Sequence, residues 1–146
     1  MLEEAGAHEV FGVGKKASAR IPELSSARRR VDPRGILAAD VVMVPLEDGD
    51  RTEALVKMGK KVVAIDLNPL SRTAQKATIT IVDNIERATP RLVQAAQTLK
   101  KQGAGKCREI LRKFDNKKNL AESITLMNKN LSRLAGKSAR TTGEGE

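Results

Sequence analysis

Polar side chains that can do chemistry follow three short runs of mainly β-branched residues. The runs are Val41–Val44, Lys61–Ile65 and Thr78–Val82. The clusters that follow them, in the same order, are Glu47-Asp48-Gly49-Asp50-Arg51, Asp66-Leu67-Asn68 and Asp83-Asn84. Because ligands of open parallel α/β sheets bind outside the carboxyl ends of the strands, we expect the three clusters to form one binding rim.

The cluster Asp66-Leu67-Asn68 carries groups that can hold a nucleoside. Asp66 can accept hydrogen bonds from ribose hydroxyls or bind a metal through water, and Asn68 offers both a donor and an acceptor. Leu67 would act through its backbone. The alternative is that Asp66 and Asn68 only cap the turn before Pro69, and the residues alone leave both interpretations open.

The tripeptide Ser71-Arg72-Thr73 suits phosphate binding. Arg72 can make bidentate hydrogen bonds to phosphate oxygens. The Thr73 hydroxyl adds a neutral donor, and the N–H groups of a helix N-terminus add further donors. The alternative is a solvated Arg72 beside a helix cap.

Asn84 and Ile85 lie where the third run passes into a helical pattern. Asn84 can read an adenine edge through two hydrogen bonds, while Ile85 offers an apolar contact and a backbone group. The alternative is that Asn84, or Asp83 before it, serves as a helix N-cap. The two roles can coexist in one residue.

The first cluster is ambiguous between a cation site and a helix start. Glu47, Asp48 and Asp50 could hold magnesium, which prefers carboxylate and water oxygens. They can equally cap the following helix and pair with Arg51. His8 is the only histidine and has no cysteine or histidine partner nearby, so we predict no metal site held by the protein itself.

Composition bounds the class of protein. The 146 residues suit one domain, whose core must be aliphatic because Phe11 and Phe114 are the only aromatics. A net charge of +9 favours anionic partners such as nucleotides, phosphorylated metabolites, RNA or acidic membranes.

The segment Gly12–Lys16 does not complete the P-loop pattern GxxxxGK[ST]. The single cysteine, Cys107, and the lack of an apolar run long enough to span a bilayer indicate a cytoplasmic protein.

The pattern predicts an α/β fold: a Rossmann-like parallel sheet with helices on both faces and a helical C-terminal appendage. Val41–Ile65 would form one βαβ unit around a helix over Arg51–Met58, ended by Gly59. Leu55 and Met58 would face the sheet. The segments before this unit are predicted as a helix end over Leu2–Gly6, a strand over Glu9–Val13, a long basic loop over Gly14–Asp32 and a short helix over Arg34–Ala39.

Two helical patterns follow the third strand. The first has an apolar stripe that Gly103 and Gly105 should interrupt before a short basic helix, Lys106–Lys113; the stripe is Ile85, Ala88, Leu92, Val93, Ala96 and Leu99. The second has a heptad seam, formed by Leu120, Ile124, Met127, Leu131 and Leu134. The seam should pack either on the same domain or in a homodimer. The predicted division is a sheet domain over residues 1–103, a helical appendage over 104–136 and a disordered tail over 137–146.

The amino-acid sequence of the central stretch also resembles a known family. PLEDGDRTEAL, KMGKKVVAIDLNPLSRTAQKAT and TIVDNIERA closely resemble archaeal phosphopantothenate synthetase, also called 4-phosphopantoate–β-alanine ligase. ASARIPELSSARRRVDPRGI and FDNKKNL resemble the same family, so the similarity covers residues 2–135. The family carries a long further segment before the point where this chain starts, so we expect the C-terminal part of such an enzyme.

The resemblance implies an enzyme that uses ATP and Mg²⁺ to join 4-phosphopantoate to β-alanine through an acyl-adenylate, in coenzyme A synthesis. It implies that ATP contacts seven residues, with Arg72 also catalytic: Asp66, Leu67, Asn68, Arg72, Thr73, Asn84 and Ile85. We expect a homodimer without a membrane partner. A nucleotide-binding module without ligase activity is the alternative. A basic RNA-associated protein is a third possibility, but the chain lacks aromatic stacking platforms and RNA-binding motifs, so we expect no nucleic-acid partner.

Overall fold

A parallel sheet lies at the centre of the structure, a computed structural model that describes residues 2–12, 18–22, 24 and 27–141. Its strand order is β3-β4-β5, with β3 at Val41–Val44, β4 at Lys61–Ile65 and β5 at Ile79–Ile81. Both pairs are parallel, and Val42 lies beside Val62 while Ala64 lies beside Thr80. The α/β class and the three strands are confirmed.

The third strand is shorter than the predicted run Thr78–Val82. Thr78 instead uses both its backbone and its side chain to hold Val62, since Val62 N–H donates to Thr78 Oγ1 over 3.0 Å and Thr78 N–H donates to the Val62 carbonyl over 2.9 Å. At the other end, Asp83 N–H turns back to the Ile81 carbonyl over 3.0 Å. Side-chain pairing and a tight turn therefore replace ladder pairing at the two ends.

Two helices cover one face of the sheet: α1 at Gly49–Lys57 and α2 at Arg72–Lys76. They pack against each other and on β4, and α2 also contacts β5. The small aliphatic core lies beneath them and extends to the N-terminal segment; it contains Ile21, Leu24, Val31, Val42, Val44, Ala54, Leu55, Val62, Ala64 and Ala77. The opposite face has no comparable cover over β3, where Val41 and Met43 are 59% and 49% exposed.

Helix α1 begins and ends close to its predicted limits. Asp48 is the N-cap, and its carboxylate accepts a hydrogen bond from Arg51 N–H over 3.3 Å. Gly59, with φ of 82°, reverses the chain after the helix, a conformation that glycine adopts without steric penalty. Leu55 is fully buried as predicted, but Met58 is 37% exposed. The Met58 prediction is wrong: Met58 is the C-cap, where the helix ends, and its side chain stays exposed.

Helix α4, Asn116–Thr141, begins by completing the edge strand β5. Thr80 N–H donates to Asn116 Oδ1 over 2.8 Å, and Asn119 Nδ2 donates to the Thr80 carbonyl over 2.9 Å. Two amide side chains therefore take the place of a neighbouring strand at that point of the edge. The backbone of α4 continues through residues 137–141 of the predicted tail, and residues 142–146 lie outside the described residues.

The N-terminal segment differs from its sequence-based prediction. Residues 2–6 form turns rather than the end of a helix, and no strand forms over the described residues 9–12; Val13 lies outside them. The predicted basic loop contains a short antiparallel pair, β1 at Ala19–Arg20 and β2 at Arg30–Val31, with a 3₁₀ turn at Ala27–Arg29 between them. Strands of two residues are too short to leave an alternating pattern in the sequence.

The short helix predicted over Arg34–Ala39 is a series of turns. Asp32 Oδ1 accepts a hydrogen bond from Arg34 N–H over 3.0 Å, and Gly35 N–H donates to the Asp32 carbonyl over 3.1 Å. Asp32 thus behaves as a turn former, which competes with its role as a helix cap.

The helices after the sheet are more exposed than their apolar stripes suggest. Helix α3, Ile85–Lys113, leaves helical geometry at Gly103, whereas Gly105 does not interrupt it. Ala88 is the only described residue of α3 that is buried. On α4, Leu120 is buried, but four other seam residues are 37–63% exposed: Ile124, Met127, Leu131 and Leu134. Packing of the whole seam on the same domain is therefore a wrong prediction. Among the described residues, no helix has the length and apolarity that a membrane span requires.

We predict that Leu55→Ala lowers the free energy of unfolding by about 2–5 kcal/mol, because it opens a cavity in a small, fully closed part of the core. Urea denaturation followed by circular dichroism measures the change. Leu126→Ala is the matched control, since Leu126 is 60% exposed on α4, and it should stay within about 0.5 kcal/mol of the parent. Equal losses for the two variants would contradict the assigned core.

Candidate functional site

The loops after the three strands lie together at one edge of the sheet. Asp48 N–H, in the loop after β3, donates to Thr73 Oγ1 over 2.9 Å. Asp66 N–H, after β4, donates to the Ile81 carbonyl at the end of β5 over 3.0 Å. The rim expected from the three clusters is therefore present, and hydrogen bonds join its parts.

Asp66 organises the middle of the rim. Its carboxylate is largely buried; Oδ1 accepts a hydrogen bond from Asn68 N–H over 2.9 Å, and Oδ2 accepts one from the Ser71 hydroxyl. Ser71 Oγ in turn accepts from Ala74 N–H over 2.9 Å and so caps α2. Ser71 is not among the predicted ATP contacts, although a serine just before a helical turn is a typical N-cap signal.

Leu67 and Asn68 stand on the outer side of this loop. The Leu67 side chain is 61% exposed, and Asn68 is exposed. Asn68 Oδ1 accepts a hydrogen bond from Leu70 N–H over 2.9 Å, while its own carbonyl accepts one from Ser71 N–H over 3.0 Å. Asp66 and Asn68 thus cap the turn, as one of the two interpretations predicted. These contacts leave the outer surface of the loop open to a ligand.

Arg72 is held by acids of α1. Its Nε and Nη2 donate to Glu53 Oε2 over 3.0 and 2.7 Å, and its Nη1 donates to Asp50. The hydrogen bond to Glu53, followed by the charge of Asp50, raises the pKa of the Arg72 guanidinium above its ordinary value. The same hydrogen bond, aided by Lys76, holds the pKa of the Glu53 carboxyl below its ordinary value. Arg72 is therefore not simply solvated, as one interpretation held. Its hydrogen-bond donors are also not all free for phosphate, because two acids of α1 already accept from them.

Thr73 and Asn84 act locally as hydrogen-bond acceptors. Thr73 is fully buried, and its hydroxyl receives the Asp48 N–H, which fixes α2 to the start of α1. Asn84 is the N-cap of α3, since its Oδ1 accepts from Glu86 N–H over 2.7 Å. Ile85, the first residue of that helix, keeps 37% of its surface exposed at the same edge.

Asp83 supports the Asn84 corner. Its Oδ1 accepts from Asn84 N–H over 2.7 Å and from Arg87 Nε over 2.8 Å. The Asn84 N–H and then Arg87 hold the pKa of the Asp83 carboxyl below its ordinary value. The carboxylate form therefore persists through neutral pH and is lost only as the pH falls through this lowered pKa.

A cleft of about 290 Å³ opens beside α1; its walls are Arg28, Glu47, Asp48, Gly49, Asp50 and Arg72. Of these wall residues, Arg28 pairs with Asp48 over 3.0 Å. Of the seven predicted ATP contacts, Arg72 alone lines this cleft, while the Asp66 loop and the Asn84 corner stand elsewhere on the rim. The site is thus divided into a charged pocket and two polar corners.

Two acids of the cleft, Asp48 and Asp50, are paired with arginines. Asp48 pairs with Arg28 and caps α1, and Asp50 pairs with Arg72. Among the described residues, no group of three or more His, Cys, Asp or Glu side chains is arranged to hold a metal ion. The capping and pairing interpretation of the first cluster therefore describes this geometry.

The amino-acid sequence that builds this rim matches a known protein family. A model of the phosphopantothenate/pantothenate synthetase family matches residues 1–130 of the chain. The chain belongs to the phosphopantothenate/pantothenate synthetase family. This confirms the family resemblance of the segments quoted from the central stretch.

Two named relatives are similar to this chain over most of its length. The 4-phosphopantoate–β-alanine ligase of Thermococcus kodakarensis is 51% identical over 127 residues, which are 87% of this chain and 49% of that protein. The ligase of the same name from Methanosarcina mazei is 48% identical over 134 residues, 92% of this chain and 52% of that protein. The chain thus spans about half the length of these synthetase-family relatives.

We predict that Ser71→Ala lowers the free energy of unfolding by about 1–3 kcal/mol, because it removes the α2 cap and one partner of the buried Asp66 carboxylate. Urea titration gives the value. Ser132→Ala, an exposed serine of α4, is the matched control and should change stability by less than about 0.5 kcal/mol. A Ser71→Ala protein as stable as the control would show that the Asp66 loop does not depend on this hydroxyl.

Proposed function

We propose that this chain forms part of an ATP-dependent ligase that joins 4-phosphopantoate to β-alanine, giving 4′-phosphopantothenate for coenzyme A synthesis. The observation that supports this most directly is the 51% identity over 127 residues to a protein named 4-phosphopantoate–β-alanine ligase. The polar rim at the carboxyl ends of parallel strands provides a suitable place for a nucleotide.

In this proposal, ATP lies along the rim from the Asn84 corner to Arg72. Asn84 and Ile85 hold the adenine, while Asp66, Leu67 and Asn68 hold the ribose side through the open surface of their loop. Arg72 binds phosphate oxygens. Thr73 is fully buried, and its hydrogen bond from Asp48 N–H holds the start of α1 beside Arg72.

The proposed chemistry activates a carboxylate. A carboxylate oxygen of 4-phosphopantoate attacks the α-phosphorus of ATP, and pyrophosphate leaves. The amine of β-alanine then attacks the acyl carbon, and AMP leaves as the amide forms. Catalysis would come mainly from holding the reactants together and from stabilising charge on the phosphate, the role given to Arg72.

Magnesium enters this proposal as the partner of ATP rather than as a resident ion. The described carboxylates do not converge on a cation position, and Asp48 and Asp50 already face arginines. Magnesium bound to nucleotides keeps several waters and needs one or two protein carboxylates at most. A cytoplasmic location belongs to the same proposal and is consistent with the lone Cys107.

The activity test follows AMP formation in the presence of Mg·ATP, 4-phosphopantoate and β-alanine. The chain is assayed alone and together with the part of the Thermococcus kodakarensis ligase that it does not match. AMP formation that requires both acid and amine supports the ligase. ATP binding without such turnover in either mixture would favour a nucleotide-binding module instead.

We predict that Arg72→Ala raises the dissociation constant for Mg·ATP by about 5- to 100-fold, the effect of losing charge-assisted hydrogen bonds. Isothermal titration calorimetry measures it. Arg108→Ala, on the exposed part of α3, is the control and should leave the affinity unchanged. Equal affinities for the parent and a folded Arg72→Ala protein would remove Arg72 from the proposed site.

A homodimer through α4 is the second part of the proposal. The seam keeps large apolar side chains in solvent at heptad spacing, with Leu131 63% and Leu134 54% exposed. A cleft of about 390 Å³ runs beside it, between α4 and Pro69-Leu70 of the rim loop. Such a seam is the geometry by which helices pack in pairs.

We predict that Leu131→Glu halves the mass measured by light scattering, because a charge enters the seam between two copies. In the single chain Leu131 is exposed, so the separated protein should remain folded by circular dichroism. Lys129→Glu, a charge change on the face of α4 opposite the seam, is the control. A parent protein that is already monomeric would contradict the homodimer.

A further inference from the structure

Glu53 and Asp50 hold Arg72 in different ways. Glu53 Oε2 receives both Nε and Nη2, over 3.0 and 2.7 Å, and so fixes the side edge of the guanidinium plane. Asp50 contacts Nη1. The cleft beside α1 is lined by Asp50 and not by Glu53. Glu53 therefore stands behind Arg72, and Asp50 stands on the side that an anion entering the cleft would approach.

The two acids also differ in how firmly they are placed. The Glu53 side chain is 21% exposed, and its other oxygen lies 3.4 Å from Lys76 Nζ and 3.9 Å from Lys57 Nζ. The Asp50 side chain is 53% exposed, and its second oxygen lies 3.8 Å from an Arg28 nitrogen. Solvent screens an exposed pair more than a partly buried one, so Asp50 is the acid that can be exchanged at lower cost.

Gly49 lets the stem of Arg72 lie against α1. A Cβ at residue 49 would stand 2.8 Å from Arg72 Cβ, 3.0 Å from Cγ and 3.1 Å from Cδ. Distances this short are below ordinary carbon contacts, so any side chain there would displace Arg72 or α1. The requirement for glycine at this position is one of space.

From these contacts we infer that Gly49 and Glu53 are positioning residues for Arg72, and that Asp50 occupies the guanidinium edge that a nucleotide phosphate takes in exchange. The inference rests on the proposed function for the identity of the anion. Phosphate then enters the cleft toward Nη1 while Glu53 keeps the guanidinium plane fixed. The bound phosphate replaces the carboxylate of Asp50, so the arginine keeps its charge partner throughout.

Substitutions should separate the three roles. Glu53→Ala should weaken Mg·ATP binding by about 10-fold or more, because Arg72 loses its fixed orientation. Glu53→Gln keeps an acceptor of the same size and should restore part of that loss. Asp50→Asn removes the competing charge and should tighten binding by about 2- to 5-fold. Gly49→Ala should weaken binding by displacing the Arg72 stem.

The measurement is calorimetric titration of the full 146-residue chain with Mg·ATP. Glu109→Ala is the matched control, since Glu109 also accepts two cationic side chains, Lys106 and Lys113, but lies on α3. It should leave the affinity unchanged. Tighter binding by Asp50→Asn is a result that a purely structural role of this acid would not produce. Equal affinities for the Glu53→Ala, Asp50→Asn and parent proteins, all folded, would overturn the inference.

A second measurement needs no nucleotide. In the parent protein, the Arg72 Nε–H should give a proton–nitrogen NMR signal with slowed solvent exchange, and this protection should be lost in Glu53→Ala and kept in part in Glu53→Gln. If the parent shows that protection but does not bind Mg·ATP, the proposed nucleotide fails while the positioning by Glu53 stands. An Arg72 signal that is identical in the parent and Glu53→Ala would overturn the positioning role itself.

Discussion

The Asp66 carboxylate, largely buried at the end of β4, is the constraint on which the rim depends. A buried charge needs hydrogen-bonding partners, and Asp66 receives them from Asn68 N–H and from the Ser71 hydroxyl. Ser71 then caps α2, which sets the positions of Arg72 and Thr73. Thr73 in turn receives the Asp48 N–H and places the start of α1. One carboxylate is thus connected to both helices that flank the candidate site.

The cleft at the rim pairs positive with negative side chains, although the chain as a whole is strongly positive. A net charge of +9 attracts anions at long range, yet the cleft beside α1 pairs its arginines with Asp48 and Asp50. Such pairing keeps the guanidinium groups in place when no anion is bound to them. In the proposed exchange, an incoming phosphate competes with a carboxylate, which would favour ligands with several negative charges over singly charged ones.

Apolar surface remains open on two sides of the described structure. Val41 and Met43 lie on the uncovered face of the sheet, and the α4 seam exposes Leu131 and Leu134. Contiguous exposed apolar surface is typical of contacts with other protein. The two surfaces are of different kinds, because the first is a sheet face suited to a packed layer and the second is a helix seam suited to another helix.

The sequence by itself determined the parallel strands, the polar clusters after them and the helix signals at Asp48, Ser71 and Asn84, because β-branched runs, capping residues and strand-end polarity are local properties. It also determined the family, because sequence segments can be compared without a structure. Only the tertiary structure decided what those residues contact. The pairing of Arg72 with Glu53 spans 19 positions, and the edge contact of Asn116 with Thr80 spans 36. Neither leaves a periodic signal, because each depends on how separate elements pack. The α4 seam does leave a heptad pattern, but that pattern cannot show whether its residues pack or stay exposed.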